Sequence, residues 1–277
     1  MIRIGEYQSL RIEREMPQGY YLSDEEENEI LLPRGYVTDE MEIGDALAVF
    51  VYNDSEDRPV ATTETPLFCV DEFAYLEVID ANEIGAFCEW GVSKGLFVPF
   101  RNQVRTLEKG QHYVVYMYLD KLTKRLVGTT KLDKYLTKEA EDEFEMGEEV
   151  DLLVYTKTDL GFNVIVDKTY KGLIYDNEIR QEIRIGQKLK GYVKPLREDG
   201  KLDISLDQIG HLNIEPNAQY LLAELKASEG FLSFTDKSDP NHIRERFGIS
   251  KKLFKKALGT LYRRELVVLK EDGIYLK

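Results

Sequence analysis

The sequence has few of the residues that build metal sites and redox centres. It contains two cysteines and three histidines among 277 residues. Cys69 and Cys88 form no Cys-x-x-Cys pair and have no histidine close by in the sequence, a spacing that favours neither a zinc site nor a redox disulfide. We therefore expect two buried free thiols, with no metal and no cofactor.

The motifs of common enzyme classes are also missing. The sequence has no glycine-rich phosphate loop, no Gly-x-Ser-x-Gly and no His-Glu-x-x-His, the patterns that serve phosphate binding, acyl transfer and zinc-dependent hydrolysis. The histidines, which are His112, His211 and His242, have no partner at the spacing of a nucleophile or a metal ligand. We expect a protein that is not an enzyme.

Long hydrophobic segments do not occur. No apolar run approaches the roughly 18 residues that a membrane helix needs, and the first six residues lack the basic and then apolar profile of a signal peptide. We expect a cytoplasmic protein without a membrane partner. Its length suggests about two domains at roughly 150 residues each and suffices to bury a core without disulfides.

Basic residues are scarce overall but unevenly distributed. The chain has 37 basic and 51 acidic side chains and a net charge of −14, which argues against general phosphate binding. Counted by segment, the charge is −11 for residues 1–66, 0 for 67–137, −6 for 138–211 and +3 for 212–277. The charge therefore excludes indiscriminate binding to nucleic acid, while local sites remain open.

A strand-like pattern that begins with glycine occurs three times along the chain. Each copy is preceded by one short strand and followed by a polar turn and a second short strand. The first copy occupies residues 44–52, with flanking strands at 31–33 and 58–63. The second occupies 110–118, with flanking strands at 95–99 and 125–130. The third occupies 186–193, with flanking strands at 172–175 and 201–206. A repeat of this length is too long for a solenoid and fits a small β domain. About five short strands per copy favour a closed barrel, because closure removes exposed edges.

The C-terminal segment changes to helical periodicity. Ala218, Leu221, Leu222 and Leu225 recur at helical spacing after Pro216. This pattern predicts an amphipathic first helix.

Capping signals predict two further helices and a hairpin. Asp239 followed by Pro240 indicates the start of a second helix, Gly248 indicates its end, and Ser250 starts a third helix that runs to about Glu265. Strands at 267–271 and 274–277 flank Asp272 and Gly273, a two-residue hairpin signal. Three helices and a hairpin indicate a winged helix-turn-helix.

The third helix of this segment is strongly amphipathic. Its apolar face consists of Leu253, Phe254, Ala257, Leu258 and Leu261. Its opposite face consists of Lys251, Lys252, Lys255, Lys256 and Arg263. This separation suits a helix that binds nucleic acid, but a solvated lysine face or a protein-binding winged helix shows the same pattern.

Aromatic residues are concentrated in the middle repeat, within residues 85–101. Phe87, Trp90 and Phe97 stand there among glycines, with cations close by. Rings on adjacent strands of a small barrel with cations at the rim bind single-stranded nucleic acid by base stacking. The alternative is that these rings fill the core of a small domain.

Three sequence strings carry a resemblance to a known family. GAFCEWGVSKGLFVPF at 85–100, GLIYDNEI at 172–179 and REDGKLDISL at 197–206 resemble the S1-type RNA-binding repeats of the conserved virulence factor B family. The resemblance covers essentially the whole chain. It implies RNA binding and a role in post-transcriptional or virulence gene regulation, without known catalysis.

The resemblance and the repeats together predict a mainly β protein with a C-terminal α/β part. We expect three tandem five-stranded barrels of the S1/OB type followed by a winged helix-turn-helix. The predicted domains are an acidic barrel at 1–66, barrels at 67–137 and 144–211, and a winged helix at 215–277.

The S1 pattern and the aromatic segment at 85–101 together suggest which residues contact RNA. The aromatic residues expected to stack on bases are Phe87, Trp90, Phe162 and Tyr175. The cations expected to hold phosphates are Lys94, Arg101, Arg125 and Lys201. The second repeat departs from the S1 pattern at two positions: Ile84 replaces the first aromatic residue, and no histidine stands in 95–100. In the third repeat Leu160 replaces the first aromatic residue and Tyr175 stands at the histidine position.

The first repeat is expected to differ from the other two. It has Tyr20, Tyr21 and Arg58, but the acidic run 24–27 stands beside the tyrosines. Acidic side chains repel phosphate, so we expect this barrel to be structural or to bind a protein.

The sequence therefore favours an RNA-binding regulatory protein. Single-stranded RNA is the expected partner of barrels 2 and 3, with the winged helix assisting. Two alternatives stay open: a transcription regulator that binds DNA through its winged helix, and an adaptor that holds a protein partner through barrel 1.

Overall fold

A computed structural model describes residues 1–140, 143–144, 147–194, 199–207 and 216–277. His211, the predicted domain limits at 211 and 215, and the first two residues of the string at 197–206 lie outside these residues. One compact unit of the chain holds the first two barrels and most of the third, and the other holds the C-terminal helices.

The first barrel is built from five strands. They are β1 (Tyr7–Met16), β2 (Gly19–Ser23), β3 (Glu29–Pro33), β4 (Ala46–Asn53) and β5 (Pro59–Thr62). The order is β1-β2-β3-β5-β4, and the barrel closes because β1 also pairs with β4. The single parallel pairing joins β3 to β5.

The second barrel repeats this arrangement. Its strands are β6 (Phe73–Asn82), β7 (Gly85–Cys88), β8 (Leu96–Pro99), β9 (His112–Leu119) and β10 (Leu126–Thr129). They form the sheet β10-β9-β6-β7-β8, whose end strands β8 and β10 lie side by side.

The third barrel is closed in the same order as the first. Its strands are β11 (Glu149–Thr158), β12 (Gly161–Val166), β13 (Tyr170–Tyr175), β14 (Lys188–Val193) and β15 (Leu202–Ser205). The three five-stranded barrels confirm the predicted fold class.

One glycine begins the second strand of every barrel for a steric reason. Gly19, Gly85 and Gly161 have φ of 145°, 156° and 147°. A Cβ atom there would lie only 1.9 to 2.5 Å from a carbonyl oxygen of the third strand, so a side chain would separate the two strands. The long first strand of each barrel also has a bulge, which lets it bend around the barrel.

The barrels share hydrophobic cores. Phe50, Tyr52 and Val60 of the first barrel pack in one buried cluster with Trp90 and the interior of the second. A second cluster joins Tyr116 and Leu132 to Leu153 and Ile165 of the third barrel. Shared cores of this kind fix neighbouring barrels against each other, in contrast to a flexible string of domains.

The C-terminal unit contains three helices and a small sheet. The helices are α1 (Pro216–Ala227), α2 (Pro240–Phe247) and α3 (Lys251–Arg263), and the strands are β16 (Phe231–Leu232), β17 (Val267–Lys270) and β18 (Gly273–Leu276). In the described part of the chain, no helix is both long and apolar enough to cross a bilayer.

The predicted caps of α2 and α3 are confirmed. The Asp239 carboxylate accepts a hydrogen bond from the Asn241 backbone N–H, and Gly248 ends the helix at φ 67°. The Ser250 hydroxyl oxygen accepts from the Leu253 N–H. The sequence therefore predicted where these helices begin, because each cap supplies a partner for an unpaired backbone group.

Two predictions in the winged helix were wrong. Lys270 pairs with Gly273, so Glu271 and Asp272 form the turn and Gly273 lies in β18. A Cβ atom on Gly273 would lie 2.3 Å from the Leu232 carbonyl oxygen, on the strand β16 that the sequence did not predict. Leu253, assigned to the apolar face of α3, is 38% exposed.

Candidate nucleic-acid interface

A cleft of about 290 Å³ lies between the first two barrels. Strands β7 and β8 and the residues that follow the β9–β10 turn supply one wall, and the end of β4 with its following turn supplies the other. Of the predicted RNA contacts, Phe87, Trp90, Lys94 and Arg125 line this cleft.

Two phenylalanines face each other across neighbouring strands of the cleft. Phe87 on β7 stands opposite Phe97 on β8, and their ring centroids are 5.1 Å apart. Leu96 and Val98 are buried while Phe97 is half-buried, as the alternation of a strand requires. This alternation could have singled out Phe97 as a partner of Phe87, which the prediction omitted.

Trp90 is a core residue, which contradicts its predicted role in base stacking. It is 2% exposed, and its ring meets those of Phe50 and Phe68 edge to face. Its indole N–H donates to the Lys94 carbonyl oxygen at 2.6 Å. Neighbours from two barrels enclose the ring, so neither face is open to a base.

The two predicted phosphate-binding cations of the cleft are ion-paired with the same aspartate. Arg125 Nη2 contacts Asp57 Oδ2 directly, and Lys94 Nζ lies 3.6 Å from Asp57 Oδ1. Asp57 belongs to the turn between β4 and β5 of the first barrel. The structure thus adds to the cleft an acid that the sequence did not predict.

The inner wall of the cleft includes the phenol of Tyr52. Burial, and next a hydrogen bond with Tyr36, raise the pKa of Tyr52 far above its ordinary value. The phenol is therefore neutral at physiological pH. Among the described residues, no cluster of histidine, cysteine and carboxylate side chains could hold a metal ion.

Arg101 lies outside the lining of the cleft. It is in a short helical turn after β8, its side chain is 73% exposed, and its Nη2 is 3.6 Å from Asp120 Oδ2. The Asp120 backbone N–H donates to the Arg125 carbonyl oxygen at 2.8 Å. Arg101 therefore contacts, through Asp120, the turn that carries Arg125, and it does not line the cleft with Phe87 and Phe97.

The predicted residues of the third barrel form a separate group. Tyr175 stands opposite Gly161 and its hydroxyl donates to Asp203 Oδ2 at 3.3 Å. Lys201 is half-exposed and pairs with Asp199 at 2.6 Å. Phe162 is only 9% exposed, with Lys157 Nζ 5.3 Å from its ring centroid, so it offers little surface to a base, contrary to expectation.

Tyr20 and Tyr21 of the first barrel both contact other residues of the same barrel. Tyr20 is buried and its hydroxyl donates to the Met41 carbonyl oxygen at 3.3 Å, while the Arg14 guanidinium lies 4.4 Å from the Tyr21 ring centroid. The Asp24 carboxylate accepts from the backbone N–H groups of Glu26 and Asn28. Tyr20 is therefore part of the core, and Tyr21 already holds a cation of its own barrel.

The basic face of α3 points away from the core of its own unit. Phe254, Ala257, Leu258 and Leu261 are buried. The five predicted cations are exposed or half-buried: Lys251, Lys252, Lys255, Lys256 and Arg263.

Some of these cations have local partners within this unit. Lys255 Nζ lies 3.8 Å from Asp236 Oδ2, and Lys251 Nζ donates to the Lys237 carbonyl oxygen at 3.3 Å. On the neighbouring strand β17, Lys270 Nζ lies 4.2 Å from the Tyr275 ring centroid, a further cation that the sequence did not predict.

Three family models match the chain in the same order as its domains. A model for the S1 domain matches residues 4–64. A model described as virulence regulatory factor CvfB, second domain, matches residues 134–208, and a CvfB-like winged helix domain matches residues 219–276.

Relatives resemble the chain along its entire length. YitL of Bacillus subtilis (strain 168) is 31% identical over 289 residues, which cover 100% of this chain and 94% of YitL. Conserved virulence factor B of Staphylococcus epidermidis is 24% identical over 282 residues, covering 99% and 94%. A solved structure, a multidomain protein with nucleic acid binding domains from Streptococcus pneumoniae, is 24% identical with a TM-score of 0.48, covering 99% of this chain and 98% of that chain.

The order of the matched domains agrees with the order of barrels and winged helix in the structure. The relatives in Bacillus and Staphylococcus are similar across nearly all of both chains. This chain belongs to the conserved virulence factor B family.

Proposed function

We propose that this protein binds single-stranded RNA and that this binding serves the regulation of gene expression. The observation that carries the proposal is the convergence of Phe87, Phe97, Lys94 and Arg125 on the cleft between the first two barrels. In this proposal Tyr175 and Lys201 of the third barrel and the basic face of α3 supply further contacts to the RNA.

The cleft combines the two kinds of contact that single strands need. Rings that stack on bases contribute about 1 to 3 kcal/mol per base, without demanding a particular sequence. Lysine and arginine attract phosphates and release counterions. The paired rings of Phe87 and Phe97 lie 5.1 Å apart at their centroids, and Lys94 and Arg125 line the same cleft, so one nucleotide could meet both.

The regulatory part of the proposal comes from the family. Relatives carry the name conserved virulence factor B, and a matched model is described as a virulence regulatory factor. A protein that binds single strands with little sequence preference could act on many transcripts, which suits such a role.

Fluorescence anisotropy with a labelled, unstructured RNA at low salt tests the proposal. A Phe87→Ala, Arg125→Ala double variant should bind at least about tenfold more weakly, because it loses a stacking ring and a phosphate contact. Affinity should also fall steeply as salt is raised.

The matched control is a Phe100→Ala, Arg105→Ala variant. Both residues are exposed and lie outside the lining of the cleft, and the variant loses the same side-chain types and the same charge. RNA binding that is absent at low salt, or that falls equally in the two double variants, would contradict the proposal.

A second candidate function is binding of duplex DNA through the winged helix. The exposed cations on the outer face of α3 favour it, since such a helix can enter the major groove. A full-length Lys252→Glu, Lys256→Glu variant that loses binding to duplex DNA and keeps its affinity for single-stranded RNA would support this candidate.

A further inference from the structure

The turn between β4 and β5, residues 54–58, belongs to the first barrel and lines the cleft between the first two barrels. We call it the acidic turn. Its Asp57 carboxylate contacts Arg125 and lies 3.6 Å from Lys94. Its Asp54 carbonyl oxygen accepts from Lys94 Nζ at 2.5 Å. The acidic turn thus engages both cations on which phosphate binding in this cleft depends.

The acidic turn is locally rigid. The Asp54 carboxylate accepts from the backbone N–H groups of Glu56 and Arg58, each at 2.9 Å. The Arg58 guanidinium donates to the same carboxylate at 2.7 Å. These hydrogen bonds fix the backbone of the turn, and the Asp57 carboxylate is held by its ion pairs with Arg125 and Lys94.

The backbone conformation does not explain an aspartate at position 57. Asp57 has φ of 64°, and the corresponding turns of the other barrels have Lys124 at 55° and Gly200 at 71°. Glycine suits this left-handed conformation best, although aspartate is tolerated. The carboxylate does, however, contact the cations of the second barrel, which neither a lysine nor a glycine at this position could do.

The corresponding cations of the other barrels are paired differently. Arg58 pairs with Asp54 at 2.7 Å and Lys201 with Asp199 at 2.6 Å, each within its own turn. Arg125 instead pairs with Asp57 of the neighbouring barrel. Of these three ion pairs, only the one between Asp57 and Arg125 joins two different barrels.

We propose that the acidic turn is an internal competitor of RNA, with the Asp57 carboxylate occupying the position that an RNA phosphate takes when bound. A carboxylate and a phosphate offer similar oxygen acceptors to arginine and lysine. RNA must displace Asp57 before it can engage Arg125 and Lys94. The acidic turn therefore lowers the affinity of the cleft and favours strands whose bases also stack on Phe87 and Phe97.

The test rests on the proposed function and compares the wild type with an Asp57→Asn variant of the full chain. Asparagine keeps the shape of the side chain and tolerates the left-handed conformation, but it loses the negative charge. The affinity for a labelled single-stranded RNA at low salt should rise about 3- to 5-fold, the upper end of the range expected when one partly exposed ion pair is removed.

The matched control is Asp39→Asn. Asp39 is an exposed acid of the same barrel outside the lining of the cleft, so this variant has the same change in net charge. Its affinity should stay within about twofold of the wild type. In an Arg125→Ala background, Asp57→Asn should give a much smaller gain, because the cation that it releases is gone.

The outcomes separate the two proposals. If the wild type binds RNA and Asp57→Asn binds equally or more weakly, the internal competitor is contradicted while the proposed function stands. An equal gain from Asp39→Asn would also contradict it, because the effect would then be one of net charge. If no variant binds RNA at low salt, the proposed function fails and this inference fails with it.

Discussion

The indole N–H of Trp90 donates a hydrogen bond to the backbone carbonyl oxygen of Lys94 at 2.6 Å. This bond ties a residue in the core shared by two barrels to the loop that carries a cation of the cleft. The ring of Trp90 also meets Phe50 of the first barrel at a centroid distance of 5.7 Å. One buried side chain thus couples the packing of the barrels to the position of Lys94.

We predict that Trp90→Phe lowers the free energy of unfolding by about 2 to 4 kcal/mol. The variant loses a buried hydrogen bond and leaves a cavity where the indole was. Chemical denaturation followed by circular dichroism measures the change. A Phe100→Leu variant, at a 47% exposed position, should be nearly neutral, and a Trp90→Phe protein as stable as the wild type would show that the indole is not an important part of the shared core.

The two cysteines should differ in their reactivity. Both are free, Cys88 is buried and Cys69 partly so. Burial raises the pKa of Cys88 to about 12, and burial followed by the charge of Glu72 raises the pKa of Cys69. Because only the thiolate reacts, iodoacetamide at pH 8 should label Cys69 slowly in the native protein and Cys88 far more slowly, with both labelled at once after denaturation. Mass spectrometry of the peptides gives the rates, and equal native rates would contradict the prediction.

Glu72 should make stability depend on pH in the acid range. Burial raises its pKa, but the Cys69 backbone N–H and the Lys168 ammonium outweigh burial and hold the pKa below the ordinary 4.5. A lowered pKa in the folded state stabilises the fold above about pH 4.5, and this contribution is lost as the pH falls through the lowered pKa. Glu72→Gln should therefore be less stable by up to about 1 kcal/mol at pH 7, with the difference shrinking below pH 4.5.

Thermal unfolding at several pH values measures this difference. Glu83→Gln, at an exposed position in the β6–β7 turn, is the matched control and should show no such trend. A constant difference between Glu72→Gln and the wild type from pH 7 to pH 3.5 would contradict the assignment of the effect to the carboxylate charge.

The architecture could be predicted from the sequence because its signals are local. The recurrent glycines, alternating strands and helix caps act within a few residues, and helices α2 and α3 begin where Asp239 and Ser250 predict. The error at Gly273 arose because that glycine is required by β16, a two-residue strand too short to leave a pattern.

The candidate site could be predicted only in part because its decisive contacts join different barrels. Phe87, Lys94 and Arg125 were identified by residue type and position, and all three line the cleft. Trp90 was misassigned because its neighbour Phe50 comes from the first barrel. The pairing of Asp57 with Arg125 depends on how two barrels pack, which no local pattern shows.

Two glycines of the winged helix should respond in opposite directions to the same substitution. Gly259 lies within α3, and a Cβ atom there would meet no atom within 4 Å, so Gly259→Ala should stabilise the helix by about 0.5 to 1 kcal/mol. Gly248 is equally uncrowded but has φ of 67°, so Gly248→Ala should destabilise by about 1 to 2 kcal/mol. Calorimetry of the full chain measures both, and shifts of the same sign would contradict the argument from backbone conformation.

The basic face of α3 permits a test that separates binding from stability. Lys252 lies in the first turn and Arg263 ends the helix, so Lys252→Glu and Arg263→Glu change the charge of the same face equally. A negative side chain near the start of a helix stabilises it by about 0.3 to 1 kcal/mol, and one near its end destabilises it similarly. Arg263→Glu also loses the hydrogen bond from Arg263 Nε to the Gly259 carbonyl oxygen.

If this face contacts phosphates, both variants should bind nucleic acid more weakly although their melting temperatures move in opposite directions. Anisotropy with single-stranded RNA and with duplex DNA, measured on the full chain, shows which nucleic acid is affected. If only the variant with the lower melting temperature loses affinity, the variants act on binding through the stability of the fold. Unchanged affinity for both nucleic acids in both variants would exclude this face from phosphate contact and favour a winged helix that holds a protein.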